Sequence, residues 1–322
     1  MKMQCKLLAA FAAALLVCAD AAAQTYPTKP IRWVVGFAAG GGNDILARVI
    51  APRVAERLGQ QVLVDNKAGA DGRVAAEFVA KAAPDGYTIM SGASGQMVYN
   101  MGLYKDVAYD PIKSFAPITM IGYTQLLFAV GPSIPAGTIK EFVALAKAKP
   151  GALFYASAGS PHVIAFALFE KEAGIKLVNV PYKGDAPANS AAMSGEVTVA
   201  ATGLGNALPL LKAGKLRALG TTGATRSQFA PNTPTVKEQG VDFEGVAWTG
   251  VFAPAGTPQP ILDRLYAVLA GVLKEPATNE RILGTGYETN RNGIKPAEFA
   301  PWHKAQLAKW TKVMKDIGIK PQ

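Results

Sequence analysis

The feature that most constrains the fold is a junction near the start of the chain. Residues 31–37 form an apolar run, Ala38-Ala39-Gly40-Gly41-Gly42-Asn43-Asp44 follows, and an amphipathic pattern begins behind it. An apolar run of this kind suits a strand covered on both faces. Beyond the glycines, Leu46, Ile50, Val54 and Leu58 recur at spacing four, with Ile45 and Val49 beside them. Arg48, Arg53, Glu56 and Arg57 take the opposite side. That pattern is a helix with one buried face, capped at its start by Asp44 and ended by Gly59. A strand turning tightly into a helix presents unpaired backbone N–H groups, where a carboxylate or phosphate can sit. Read alone, the segment is equally an ordinary strand-to-helix turn. It is not a P-loop, because no Gly-Lys-Ser/Thr follows, and its consecutive glycines do not fit the dinucleotide pattern.

Strand and helix signals keep alternating. Residues 61–66 read as a strand, 68–72 as a turn leading to a helix that ends near 83, 84–86 as a turn and 87–91 as a strand. This βαβαβ order predicts a parallel sheet. Near 124–131 the chain changes domain. Thr138-Ile139-Lys140-Glu141 is a capping box that opens a helix to about 149. Strands at 153–158, 177–182, 197–202 and 216–221 alternate with helices at 160–173, 186–195 and 206–213, which makes a second α/β unit. Residues 245–254 read as a strand returning to the first unit, and helices follow at 258–274, 276–284 and 296–317. The expectation is an α/β protein of two lobes joined by two crossings. Lobe 1 takes residues 24–124 and 248–322, and lobe 2 takes 125–247. Ligands in such folds sit at the carboxyl ends of the strands, here in the cleft between the lobes.

The first residues read as an export signal. Met1 to Lys6 is a short basic stretch, residues 7–17 are an apolar run too short to span a bilayer, and Ala21-Ala22-Ala23 offers a cleavage site. Residues 1–23 are thus a signal peptide, the mature chain begins at Gln24, and the destination is the periplasm. Lipidation at Cys18 is the rival reading, disfavoured by the bulk of Val17 before it. Both cysteines, Cys5 and Cys18, lie in this leader, so the mature chain has no disulfide and no cysteine metal site. No later apolar run is long enough for a membrane helix. The chain has 33 basic and 23 acidic residues; without Lys2, Lys6 and Asp20 the balance is 31 minus 22, or +9. The basic residues are dispersed and not interleaved with aromatics, which argues against nucleic acid.

The candidate ligand contacts of the first turn are Phe37, Ala38, Ala39, Gly40, Gly41, Gly42 and Asn43, with Asp44 as a scaffold residue. As an anion, Asp44 would repel a carboxylate. Ser94 joins them just past the third strand. In the second lobe, Ser157-Ala158-Gly159-Ser160-Pro161-His162 is a matching turn, with hydroxyls and backbone N–H groups suited to a carboxylate. Pro161 is preorganised for a helix start. His162 either meets the ligand or satisfies a turn carbonyl. Tyr182 and Thr202, at the ends of two further strands, complete the set, and Lys183 either attracts an acid or is simply solvated. His303 reads as a surface helix residue, and Trp248 as the tryptophan nearest the hinge. No Gly-x-Ser-x-Gly elbow, His-Glu-x-x-His or cysteine nucleophile is present. A triad using Ser157 or Ser160 with His162 needs an orienting acid that spacing does not identify. No cofactor and no metal are implied.

A series of segments resembles one family in order along nearly the whole mature chain. They are Tyr26-Pro27-Thr28-Lys29-Pro30-Ile31, Phe37 to Asp44 with Ala47-Arg48, Asn66-Lys67-Ala68-Gly69-Ala70-Asp71-Gly72, and Pro84-Asp85-Gly86-Tyr87-Thr88. Tyr155-Ala156-Ser157, Pro181-Tyr182-Lys183-Gly184, Gly214 to Leu219, Pro234-Thr235-Val236 and Pro254-Ala255-Gly256-Thr257-Pro258 continue it. Together they resemble the Bug family, periplasmic receptors of tripartite tricarboxylate transporters. The resemblance implies a Venus-flytrap, type II periplasmic binding fold and a small carboxylate held largely by backbone N–H groups. It implies that the 37–44 and 157–162 loops hold the carboxylate ends. The implied partner is a membrane permease with a large and a small subunit, and for some members a sensor kinase; the receptor is expected to be monomeric and not an enzyme. A secreted hydrolase is the rival of a different class. Gly36, a shortened second-lobe loop, Ala191, and the strand end Ala200-Ala201-Thr202 depart from the family pattern. Alanine in place of aspartate removes partners for an ammonium group and favours a dicarboxylate without an amine, such as terephthalate or a medium-chain aliphatic diacid.

Overall fold

The computed structural model describes residues 26–289 and 293–321, so the leader, its cleavage site and Cys18 lie outside the described residues. The elements run β1 (Ile31–Val35), α1 (Gly42–Leu58), β2 (Val62–Asn66), α2 (Arg73–Ala80) and β3 (Thr88–Ala93). One wide helical turn, Gly95–Tyr99, runs into the short α3 (Asn100–Leu103). Then come β4 (Phe115–Val130), α4 (Ile139–Ala148), β5 (Phe154–Ser157), α5 (Ser160–Ala173), β6 (Val178–Pro181), α6 (Asp185–Ser194), β7 (Val199–Gly203), α7 (Leu204–Lys212) and β8 (Arg217–Thr221). The chain closes with β9 (Val246–Pro254), α8 (Gln259–Leu273), α9 (Pro276–Leu283) and α10 (Pro296–Asp316).

The strands form the order β2-β1-β3-β9-β4-β7-β5-β6, with β8 also on β4. As the βαβαβ order requires, β1 is parallel to β2 and β3. In the other half, β5 is parallel to β6 and β7. The 16-residue β4 joins the halves, and no strand was expected there. Its stretch from Phe115 to Gln125 pairs antiparallel with β9, and Leu126 to Val130 pair with β7 and β8. The change of domain is therefore one strand leaving one half-sheet and entering the other. Register shifts near Thr119 and Gly122 add the local twist that such a passage needs. Strand β9 makes the return, with Val246 opposite Gln125.

Packing fixes both candidate turns from below. On the first, Leu46, Ile50 and Val54 of α1 are buried against Ile31, Trp33 and Val35 of β1. The buried Trp33 indole donates to Ser91 Oγ at 2.8 Å. On the second, Phe166 of α5 stacks on Phe128 of β4 at 4.6 Å between centroids, and Phe169 meets the same ring edge-on at 5.1 Å. All three are fully buried, and burial of each contributes about 1.5–3 kcal/mol. Rigid docking of the helix sets the position of its first turn.

Two expectations are corrected here. Helix α1 starts at Gly42 with Gly41 in the cap position, so Asp44 lies inside the first turn and is not the N-cap. His303 is not a surface residue: it is 2% exposed, and its Nε2 lies 2.9 Å from Met97 O. Its ring packs on Trp248 and Phe252, because α10 lays one face over the sheet while its lysines stay outside. Burial pushes the His303 imidazole below its usual range, against the Met97 hydrogen bond. Ala191, Ala200 and Ala201 are core residues, each 3% exposed or less. Ala191 and Ala200 pack together where α6 lies on β7, and Ala201 belongs to the aromatic cluster around Phe128 and Phe166.

Candidate functional site

The first turn is held by a buried carboxylate. Gly40 takes a positive φ of 81°, and its N–H donates to Asp44 Oδ2 at 2.9 Å. Asp44, 2% exposed, also accepts from Arg48 Nε at 2.9 Å and from Asn66 Nδ2 at 2.9 Å. Asn66 reaches on to Phe37 O at 3.0 Å and accepts from Arg48 Nη2. Burial works to raise the Asp44 carboxyl, but hydrogen bonds from Arg48, Gly40 and Asn66 and the Arg48 charge hold it below the usual carboxylate range. Ala38, Ala39 and Gly40 are exposed, while Phe37, Gly41, Gly42 and Asn43 are half-buried. The N–H groups of Gly42, Asn43 and Asp44 open α1 and have no i−4 carbonyl inside the helix. Asn43 Oδ1 accepts from Thr249 Oγ1 of β9 at 2.5 Å. Burial and the Asp185 charge push the Tyr287 hydroxyl above the usual phenol range, against the lowering influence of Thr249. Gly42 sits close under Tyr287: a Cβ would stand 3.0 Å from its ring and hydroxyl, and the ring would have to shift to admit it.

The second turn meets the first half of the molecule directly. Ser160 N, at the start of α5, donates to Asp71 Oδ2 at 3.1 Å. Asp71 lies in the loop before α2, in left-handed backbone at φ 53°, a conformation that aspartate tolerates better than most residues. Asn100 Nδ2 holds its carbonyl at 3.0 Å. Close approach depends on glycine: a Cβ on Gly95 would stand 2.6 Å from Ser160 Oγ, and one on Gly159 3.0 Å from Asp71 Oδ1. Ser94 Oγ, Ser160 Oγ and His162 Nδ1 are all buried without a hydrogen-bond partner. Ser157 Oγ is satisfied by Asn179 Oδ1 at 2.8 Å. Ala158 and Gly159 are half-buried beside it. Thr202 is buried with a 3.5 Å contact to Gly203 O, and the Tyr182 hydroxyl is engaged by Glu196 at 2.6 Å.

Asp185, the first residue of α6, is the acid that spacing alone did not identify. Its Oδ1 lies 3.3 Å from His162 Nε2, an ion-pair distance off the hydrogen-bond line. Its Oδ2 accepts from Gly203 N at 2.9 Å and Asn206 Nδ2 at 2.6 Å. Burial works to raise this carboxyl, but His162, Asn206 and the Gly203 N–H hold it below the usual range. No serine hydroxyl bonds the other His162 nitrogen, so the described residues do not complete a nucleophile–base pair. Among the described residues, no group of three or more His, Cys, Asp or Glu is placed to hold a metal.

Asp71, Asp185, Asn206, Thr249 and Tyr287 were not in the expected set. Asp185 carried a local signal, since it follows Gly184 at a strand-to-helix turn. The others reach the site only through tertiary contact.

Known proteins agree with this architecture. A model of the tripartite tricarboxylate transporter family receptors matches residues 46–319. The protein BugT of Bordetella pertussis is 30% identical over 314 residues, covering 96% of each chain. An R. palustris protein solved with adipate superposes with a TM-score of 0.87 at 35% identity, covering 92% of this chain and 100% of its own. MatC from Rhodopseudomonas palustris, solved with bound malate, gives 0.82 at 31% identity, covering 89% and 99%.

Proposed function

Because the chain belongs to the tripartite tricarboxylate transporter receptor family, we propose that it captures a small dicarboxylate without an amine between its two turns. It works in the periplasm after removal of residues 1–23, as a monomer, and hands the ligand to a permease with a large and a small subunit. Residues 24–124 with 248–322 form one jaw and 125–247 the other. One observation carries the reading. Each turn holds a carboxylate of the protein itself on a backbone N–H, Asp44 on Gly40 and Asp71 on Ser160, and Ser94 Oγ, Ser160 Oγ and His162 Nδ1 are buried without partners beside the second. Relatives solved with adipate and malate support a diacid. Absence of an amine now rests on Asp185, whose oxygens already serve His162, Gly203 and Asn206. That leaves it a poor seat for an ammonium group. Adipate-like and terephthalate-like diacids are the leading candidates.

A thermal-shift and calorimetry panel of adipate, terephthalate, malate, aspartate and glutamate tests this. An amine-free diacid should stabilise the fold by about 2.7 kcal/mol at 100 times its Kd and remain unconsumed. Tight binding of aspartate or glutamate with none of the amine-free diacids overturns the ligand class. Steady turnover of ester or amide substrates overturns the receptor reading in favour of a hydrolase.

A further inference from the structure

We propose that Asp185 is a positioning residue that orients His162 to become the charged clamp for the ligand's second carboxylate, so that capture takes up one proton. This rests on the dicarboxylate reading above. The second half of the site is rich in fixed negative charge. Asp185 faces His162 from α6, Asp71 sits on the Ser160 N–H from the loop before α2, and the Tyr287 phenol lies in the Asp185 field from the segment after α9. Among the described residues, no lysine or arginine forms an ion pair with Asp71 or Asp185, whereas Asp44 at the first turn has Arg48 at 2.9 Å. A ligand carboxylate arriving there would be a third anion. Neutral donors such as Ser94 Oγ and Ser160 Oγ do not balance it.

Among the described residues, His162 is the side chain placed to do so. It is 8% exposed, and its Nε2 lies 3.3 Å from the Asp185 carboxylate, whose charge favours a proton on that nitrogen over Nδ1. The imidazole geometry turns Nδ1 away from Asp185, and that atom is buried with no partner. A buried ring nitrogen without a partner costs free energy, and a carboxylate oxygen cancels that cost only if Nδ1 bears a hydrogen. The balance is simple: Nδ1 takes a proton from solvent as the carboxylate arrives, and the imidazolium then sits between Asp185 and the ligand. No covalent bond to carbon forms or breaks.

Calorimetry with adipate at pH 8, in two buffers of different ionisation heat, reads the proton directly. The wild type should take up close to one proton per adipate, and by linkage its affinity should then fall about tenfold per pH unit around pH 8. D185N and H162Q should take up none and bind with an affinity flat in pH, while D185E restores part of the uptake. H162Q carries the same readout if D185N does not fold. Adipate binding with equal heats in both buffers overturns the proposal, as does wild-type uptake in D185N. Glutamate binding more tightly than adipate and lost in D185N assigns Asp185 to an ammonium group and also overturns it. No binding of any diacid in the panel at pH 8 or at lower pH overturns the dicarboxylate reading, and this assignment with it.

Discussion

At the first turn the carboxylate on the Gly40 N–H comes from Asp44, four residues along, and brings its own counter-charge in Arg48. At the second, the carboxylate on the Ser160 N–H comes from Asp71, 89 residues away in the opposite half of the sheet. The first turn is thus built locally, with its donors aligned whether or not the halves meet. The second owes part of its order to contact between the two halves, so under the proposed function a ligand seeking the Ser160 N–H would compete with Asp71.

If the first turn is a local scaffold, D44A should cause the largest loss. It removes a buried acceptor and leaves Arg48 and Asn66 without their shared partner, at about 3 kcal/mol in a denaturant titration. An unchanged midpoint would break the contrast. At the second turn, D71A should cost the fold little but favour opening. Loss of a hydrogen bond to a charged group is worth about 1.5–3 kcal/mol, enough for a tenfold shift toward an expanded ligand-free form in small-angle scattering. D44A should not produce that expansion, and a compact D71A would show that closure does not depend on Asp71.

A smaller effect sharpens the electrostatic side. Asp44 and Asp185 are held below the usual carboxylate range in the fold. Each is more readily ionised folded than unfolded. The stability they supply is complete above the unfolded value of about 3.9 and is lost as pH falls through their lower folded values. The melting temperature should therefore drop steeply from pH 4 downward, and D44N should flatten the profile. The smallest effect separates two serines of one loop. S157A loses the Asn179 bond, about 1 kcal/mol of stability, with adipate affinity little changed. S160A, whose hydroxyl has no partner in the structure, should leave stability within about 0.5 kcal/mol while adipate affinity falls several-fold. Equal behaviour of the two would deny Ser160 a ligand role.

Much of this was legible in the residues. Apolar runs and glycine breaks placed most strands and helices within a few residues, because period and turn chemistry are local. Strand β4 was hidden: it holds Pro117, Gly122 and mixed polar residues, and its two ends pair with different neighbours. His303 reads as exposed beside Lys304 in a lysine-bearing helix, while burial is set by the sheet beneath α10. Nor does a sequence say which way the Cβ atoms of the alanines at 191, 200 and 201 point: 191 and 200 share one buried cluster and 201 lies in another.

The sequence by itself determined that two glycine-lined strand ends would each start a helix, since backbone conformation, capping and apolar period act over a few residues. It determined the family as well, through an ordered series of short motifs. Only the tertiary structure decided which charges the two turns share. Asp71, Asp185 and Tyr287 reach the site across long stretches of chain, and electrostatics depends on distance in space, which no spacing along the chain encodes.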